Sequence, residues 1–210
     1  MKRLLLVFTV LLGASGAASG QNLTGAYFGA SIGTSAATGQ WNFPASTSGT
    51  DIDAGPGGWV GSLNAGINWQ SGNTVFGIEG DVGSGPLKDT SACLLSTFDC
   101  KTEIRGLATF RGRLGLVNQT ALVYATAGAA GGIIKATMTD NTTGASAERS
   151  KGQLGWSAGL GIASPASRGW AWKAEWLHID LGSADYDIGG TNATIKYKTD
   201  ILRVGLDYRF

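Results

Sequence analysis

Beyond residue 12 the sequence has no apolar run long enough to cross a bilayer as a helix, which takes ~20 residues. It has no basic stripe either: 16 Lys and Arg stand against 15 Asp and Glu, a formal net charge of +1. That balance argues against a nucleic-acid partner, which selects clustered positive charge. Proline is scarce at 4 residues, histidine occurs once and cysteine twice. There is no helical repeat and no linker between two domains, so the 210 residues read as one domain. Glycine is abundant at 34 residues. The glycines follow no collagen period. They are scattered through alternating segments, where they suit barrel bends and close contacts rather than helix interiors.

Lys2 and Arg3 precede an apolar run, Leu4 to Leu12, and then a small-residue stretch, Gly13 to Gly20. This is the order of a secretory signal. Residues 1–20 are predicted to be a signal peptide cut near Ala18 or Gly20, leaving a domain over 21–210. The apolar run is about half the ~20 residues a membrane anchor needs. Without Lys2 and Arg3 the balance becomes 14 − 15 = −1. An exported chain with no spanning helix is periplasmic, secreted, or an outer-membrane β-barrel.

The rest of the chain alternates with a period of two, which puts neighbouring side chains on opposite faces of a strand. In the last stretch Leu202, Val204, Leu206, Tyr208 and Phe210 share one face, and Ile201, Arg203, Gly205, Asp207 and Arg209 the other. Seven earlier segments behave similarly: Thr24–Gly33, Trp59–Trp69, Thr74–Gly83, Thr102–Val117, Ala121–Thr137, Lys151–Ser164 and Gly169–Leu181. In the fourth, Ile104, Ala108, Phe110, Leu114 and Leu116 oppose Glu103, Arg105, Thr109, Arg111 and Arg113. The fifth is rich in small residues and its faces are ambiguous.

Short and long connections alternate strictly. Residues 70–73, 118–120 and 165–168 are tight turns; 34–58, 84–101, 138–150 and 182–196 are long and polar. Outer-membrane barrels show this rule, with short turns on the periplasmic side. Aromatic residues cluster near the strand ends. Trp69, Phe76, Tyr124, Trp170, Trp172, Tyr208 and Phe210 lie near the periplasmic end, and Trp59, Trp156, Trp176 and Tyr197 toward the outer end. Two girdles of this kind sit at lipid–water boundaries. The predicted fold is all-β: an eight-stranded antiparallel up-and-down transmembrane β-barrel with apolar rows facing lipid.

The polar rows then face inward. They carry Glu79, Asp81, Glu103, Glu175 and Asp207 with Arg105, Arg111, Arg113, Lys173, Arg203 and Arg209. Counted from the periplasmic ends, Glu79, Arg111, Arg113, Lys173, Glu175 and Arg203 form a middle layer, Asp207 and Arg209 a lower one, and Glu103 and Arg105 a higher one. An eight-stranded barrel is just wide enough for side chains to fill it. The layer reads as a plug of paired charges. The competing reading is a narrow ion path, but aqueous pores come with ~16 strands.

Three other features invite a site. Cys93 and Cys100 share one loop, and an oxidising compartment favours a disulfide between them. A metal site would want further ligands nearby. His178 lies on the row of the tryptophans near the outer end. A lipid-modifying hydrolase there would need a serine nucleophile and an orienting acid. The residue two positions on is Asp180, not a serine, so an interfacial histidine is the simpler reading. Asp51-Ile52-Asp53 and Asp185-Tyr186-Asp187 are acidic pairs, but neither continues into a calcium loop.

Several motifs fall in a familiar order: Phe76-Gly77-Ile78-Glu79-Gly80-Asp81, Arg111-Gly112-Arg113-Leu114-Gly115, Tyr124-Ala125-Thr126-Ala127-Gly128, Lys173-Ala174-Glu175-Trp176-Leu177 and Asp180-Leu181-Gly182. With the final strand they resemble the porin-like outer membrane β-barrel family of alphaproteobacteria, which includes outer membrane immunogenic proteins. The resemblance covers roughly residues 24–210. It implies eight strands, surface exposure and a role in envelope integrity. It also implies that Phe210 is part of a signal read by the barrel assembly machinery. Some family members bind haemin or host molecules through outer loops. Two departures matter. The family's Trp-x-Gly-x-Tyr opening is Thr24-Gly25-Ala26-Tyr27-Phe28-Gly29 here, and the Cys93–Cys100 loop is not a family feature. The leading expectation is a non-enzymatic surface barrel without a cofactor, surrounded by outer-membrane lipid and lipopolysaccharide. A narrow channel or loop receptor comes second, and a lipid-modifying enzyme third.

Overall fold

The period-two rows become strands wherever one row is apolar and the other polar or small. The computed structural model describes residues 22–42, 52–53, 57–92, 98–118, 120–140, 142–166, 168–188 and 191–210. Among them the strands are β1 (Gly25–Asn42), β2 (Ile52–Asp53), β3 (Gly58–Ser71), β4 (Thr74–Ser84), β5 (Leu87–Ala92), β6 (Phe98–Val117), β7 (Leu122–Asp140), β8 (Ser146–Pro165), β9 (Trp170–Ile188) and β10 (Thr191–Arg209). Eight of them form one antiparallel barrel wall in the order β1-β3-β4-β6-β7-β8-β9-β10. The first and last strands close it, from Tyr27↔Arg209 to Asn42↔Thr194, which removes both sheet edges along that seam. Strands β2 and β5 are short additions to β1 and β6.

At the lower end the connections are tight. Ser71 pairs with Thr74 around Gly72, whose φ of 58° suits a residue without a Cβ. The Asn118 side-chain oxygen accepts the amides of Thr120 and Ala121, each at 2.9 Å. At the upper end, two connections expected as long loops are largely strand. The β7 and β8 ladder continues to Thr139↔Ser146, and β9 and β10 pair to Ile188↔Thr191. In these extensions the described side chains of Glu148, Arg149, Ser150 and Asp185 are exposed. The extensions therefore lack the apolar row that marks a strand in sequence.

Five residues face the other way from the sequence reading. A β-bulge shifts the β6 register between Ile104 and Gly106. One extra residue reverses which side chains face inward, so Ile104 is buried inside and Arg105 is exposed. Glu103 joins the outward row opposite Lys135. Tyr124 and Tyr197 are buried in the interior rather than set in the girdles. Alternation defines two rows on a strand but not which row holds a given ring when both are apolar or small.

The lipid-facing surface has clear limits. On one outward rung stand Leu160, Trp176 and Leu202; the next rung up holds Ala158, His178 and Asp200. The lower limit is marked by Trp69 stacked on Phe76 at 5.7 Å and Trp170 against Tyr208 at 5.1 Å. From Trp170 to His178 a strand advances roughly 26 Å, or about 20 Å after a ~40° tilt. That suits one crossing of an apolar band ~25 Å tall.

Candidate functional site

The interior is layered. Near the short turns Val75, Leu122 and Tyr124 pack together with Leu23, Val117 and Ala163. In the upper half a larger apolar cluster fills the lumen, including Leu87, Ile104, Leu107, Ile134, Leu181 and Tyr197. Between the two lies the charged layer.

Glu79, Arg111, Arg113, Lys173, Glu175 and Arg203 meet there, joined by Asp81 and Asp207. All eight are buried. Arg111 donates from Nη1 to Glu175 at 2.7 Å, and from Nη2 to Glu79 and Asp81 at 2.6 Å each. Arg113 reaches the other Glu79 oxygen at 2.6 Å. Arg203 holds Glu175 through Nε at 2.8 Å and Nη2 at 2.6 Å, and touches Asp81 at 3.1 Å. The Lys173 ammonium lies 3.2 Å from Asp207 and 3.5 Å from Glu79. Four carboxylates thus face four cations, and the charge of this layer sums to zero. Unpaired, any of them would be costly in this low-dielectric setting.

Neutral groups complete the layer. The Tyr27 hydroxyl donates to Glu79 at 2.9 Å, Thr109 to Asp81 at 2.8 Å, and the Asn64 amide to Asp207 at 3.0 Å. The Arg113 guanidinium lies 4.2 Å from the centre of the Tyr124 ring and 5.3 Å from that of Tyr27, in cation–π range. Glycines make the space: a Cβ on Gly66 would fall on the Tyr27 hydroxyl, and one on Gly161 on the Tyr124 ring. The sequence reading missed both tyrosines as members of this layer. Inward parity with Asp207 and Arg209 across the β1–β10 seam was the available signal for Tyr27.

The other candidates lie apart from it. His178 Nδ1 is 3.0 Å from Asp200 Oδ1, and its ring lies between Trp156 at 5.4 Å and Trp176 at 6.4 Å. One rung up, Lys198 pairs with Asp180 at 2.7 Å. Cys93 and Asp51 lie outside the described residues, as do residues 1–21; Cys100 is on β6. Asp185 accepts the Thr194 hydroxyl at 2.7 Å. At the β7–β8 tip the Asp140 carboxylate takes the Thr142 amide and the Thr143 hydroxyl, each at 2.8 Å, which holds its pKa below the usual carboxylate value. Among the described residues no group of His, Cys, Asp and Glu is arranged to hold a metal ion.

A closed eight-stranded wall with apolar rows outward and a charge-balanced interior is what a bilayer-spanning barrel requires. A family model described as an outer membrane protein beta-barrel domain matches residues 4–210. The chain belongs to this family of outer-membrane β-barrels. The 31 kDa outer-membrane immunogenic protein of Brucella melitensis is 31% identical over 166 residues, which cover 76% of this chain and 69% of that one. The 22 kDa outer membrane protein of Rhizobium leguminosarum is 28% identical over 153 residues, covering 73% and 67%. In fold the barrel is similar to the outer membrane protein OprG from Pseudomonas aeruginosa, with a TM-score of 0.56 at 10% identity over 90% of this chain and 98% of that one. The protein is an outer-membrane barrel in contact with the lipid and lipopolysaccharide of that membrane.

Proposed function

We propose that this outer-membrane barrel is a non-enzymatic envelope protein that displays its upper hairpins as surface antigens and does not conduct. One observation carries the reading: the neutral charged layer is enclosed by apolar clusters above and below. An ion entering the lumen would have to cross both clusters and compete for groups that already hold partners. Related proteins named outer-membrane immunogenic proteins support surface display.

His178 supports the non-enzymatic reading as well. Its cross-strand neighbours are Ala158 and Asp200, and its ring lies between tryptophans, which suits a hydrogen-bonded pair at the membrane boundary. Further parts of the proposal are residues 1–20 as a cleaved export signal, a Cys93–Cys100 disulfide, and Phe210 as an element read by the assembly machinery.

Planar-bilayer recording on pure folded protein tests the closed state. The expected result is no stable unitary conductance; a reproducible one would overturn the reading. A deletion strain should leak detergent and dye more than its parent does.

A further inference from the structure

The periplasmic end of the wall carries little side-chain charge, and that charge is of one sign. Its turns and strand ends, residues 22–26, 66–77, 114–125 and 161–172, contain no Asp, Glu or Lys and one arginine, Arg168. The last strand adds Arg209. Asp207, one inward position above Arg209, is already held by Lys173 and Asn64.

Arg209 lies on the inward row, cross-strand from Tyr27, and is half-buried. The four interior carboxylates are shared among Arg111, Arg113, Lys173 and Arg203. Among the described residues the Arg209 guanidinium has no ion-pair or hydrogen-bond partner. It is a cation partly withdrawn from water without a counter-charge, an arrangement that favours an incoming anion.

Arg168 is the second cation, exposed and likewise without a partner among the described residues. Its φ of 50° makes it the one residue other than glycine in the left-handed region there, and Gly169 follows at 85°. Two successive positive φ values belong to the turn type that favours Asn-Gly or Asp-Gly. An arginine in the first position carries a steric cost that Asn tolerates better. The turn is closed all the same, with the Ala166 amide donating to the Trp170 carbonyl at 2.8 Å. A strained backbone beneath an unpaired charge points to the work of the side chain.

The two arginines are joined through Gly169. Its carbonyl accepts the Arg209 amide at 2.8 Å, and a Cβ on it would fall 2.8 Å from the Arg209 carbonyl oxygen. Trp170 and Tyr208, the next residue along each strand, pack at 5.1 Å and mark the lower membrane boundary. Both arginines therefore stand at the level of lipid headgroups.

We propose that Arg168 and Arg209 form a phosphate clamp at the periplasmic rim. Two guanidinium forks suit a tetrahedral oxyanion, which each can hold through paired N–H···O bonds. The nearest phosphate is the headgroup of an inner-leaflet phospholipid. Free phosphate has the same chemistry, and the experiment separates the two sources. The clamp rests on the orientation of the barrel, with its short turns toward the periplasm, and not on the closed lumen.

The test uses full-length folded barrel in maltoside micelles, which contain no phosphate. Short-chain phosphatidylglycerol, inorganic phosphate and chloride are titrated separately at equal ionic strength. The side-chain Nε–H resonances of Arg168 and Arg209 report binding. The expected result is saturable movement of both resonances with phosphatidylglycerol. Arg209→Gln should weaken binding about tenfold, the loss expected for charge-assisted hydrogen bonds. Arg168→Asn should weaken it similarly while raising the urea midpoint, because Asn suits the turn. Arg105→Gln, at the opposite end of the barrel, should bind as the parent does. If inorganic phosphate alone moves both resonances, the clamp stands with free phosphate as its ligand. It is overturned if neither phosphate source moves both arginines, if chloride moves them equally, or if Arg168→Asn binds like the parent.

Discussion

The Arg111 guanidinium reaches the Glu175 carboxylate through a 2.7 Å bond from Nη1 to Oε1. The two residues stand on β6 and β9, with β7 and β8 between them in the wall. The bond therefore crosses the lumen rather than running along the sheet. Arg203, cross-strand from Glu175, takes the remaining carboxylate oxygen. Glu175 is thus a buried bridge between separate strand pairs: its bond to Arg203 lies within the β9–β10 pair, whereas its bond to Arg111 forms only once the wall has curved round.

Glu175→Gln should accordingly destabilise the barrel strongly. Leaving Arg111 and Arg203 with a neutral partner inside the lumen is expected to cost about 3–5 kcal/mol. Urea unfolding in lipid vesicles, followed by tryptophan fluorescence, measures it. Glu148→Gln removes the partner of Lys135 on the exposed outer face and should leave the midpoint unchanged.

Gly161→Ala should be destabilising where Gly152→Ala is not. The first places a methyl group on the Tyr124 ring; the second places it in open space. Overpacking of this kind costs about 1–3 kcal/mol. Unfolding midpoints of the two variants provide the comparison, and equal values would show that the Tyr124 ring can move aside.

Deleting Phe210 should lower the yield of assembled barrel in cells. Its ring lies 5.8 Å from Phe28 and 5.6 Å from Tyr208, and its amide donates to Ala26 at 3.1 Å. Two roles separate experimentally. If the residue is read by the assembly machinery, insertion in cells falls while refolding into vesicles is nearly normal. If the ring contacts alone matter, Phe28→Ala reproduces the defect and both routes suffer.

The β7–β8 tip should loosen in acid. Amide and hydroxyl donors hold the Asp140 pKa below its ordinary value. A lowered folded pKa means the contribution is complete above the unfolded pKa and is lost as pH falls through the folded one. The Thr142 amide resonance should therefore titrate with a midpoint below the usual aspartate range. In Asp140→Ala that titration should vanish.

By itself the sequence determined the architecture. Period-two rows, with apolar residues such as Leu202, Val204 and Leu206 opposite Arg203 and Asp207, define strands whose two faces need different solvents. Alternating tight and long connections then order those strands up and down. The same parity places Glu79, Arg111, Lys173 and Glu175 on one set of rows. Only the tertiary structure decided which partners meet across the lumen, because wall curvature and stagger set those distances. It also decided the exceptions. The bulge beside Arg105 exchanges the faces of Ile104 and Arg105, and Tyr124 turns inward because Gly161, on the neighbouring strand, leaves it room. The end of the β8–β9 pairing at Trp156↔Asp180, while both strands run on beside β7 and β10, belongs to the same class. Alternation describes each strand alone, whereas pairing depends on whether its neighbour stays beside it.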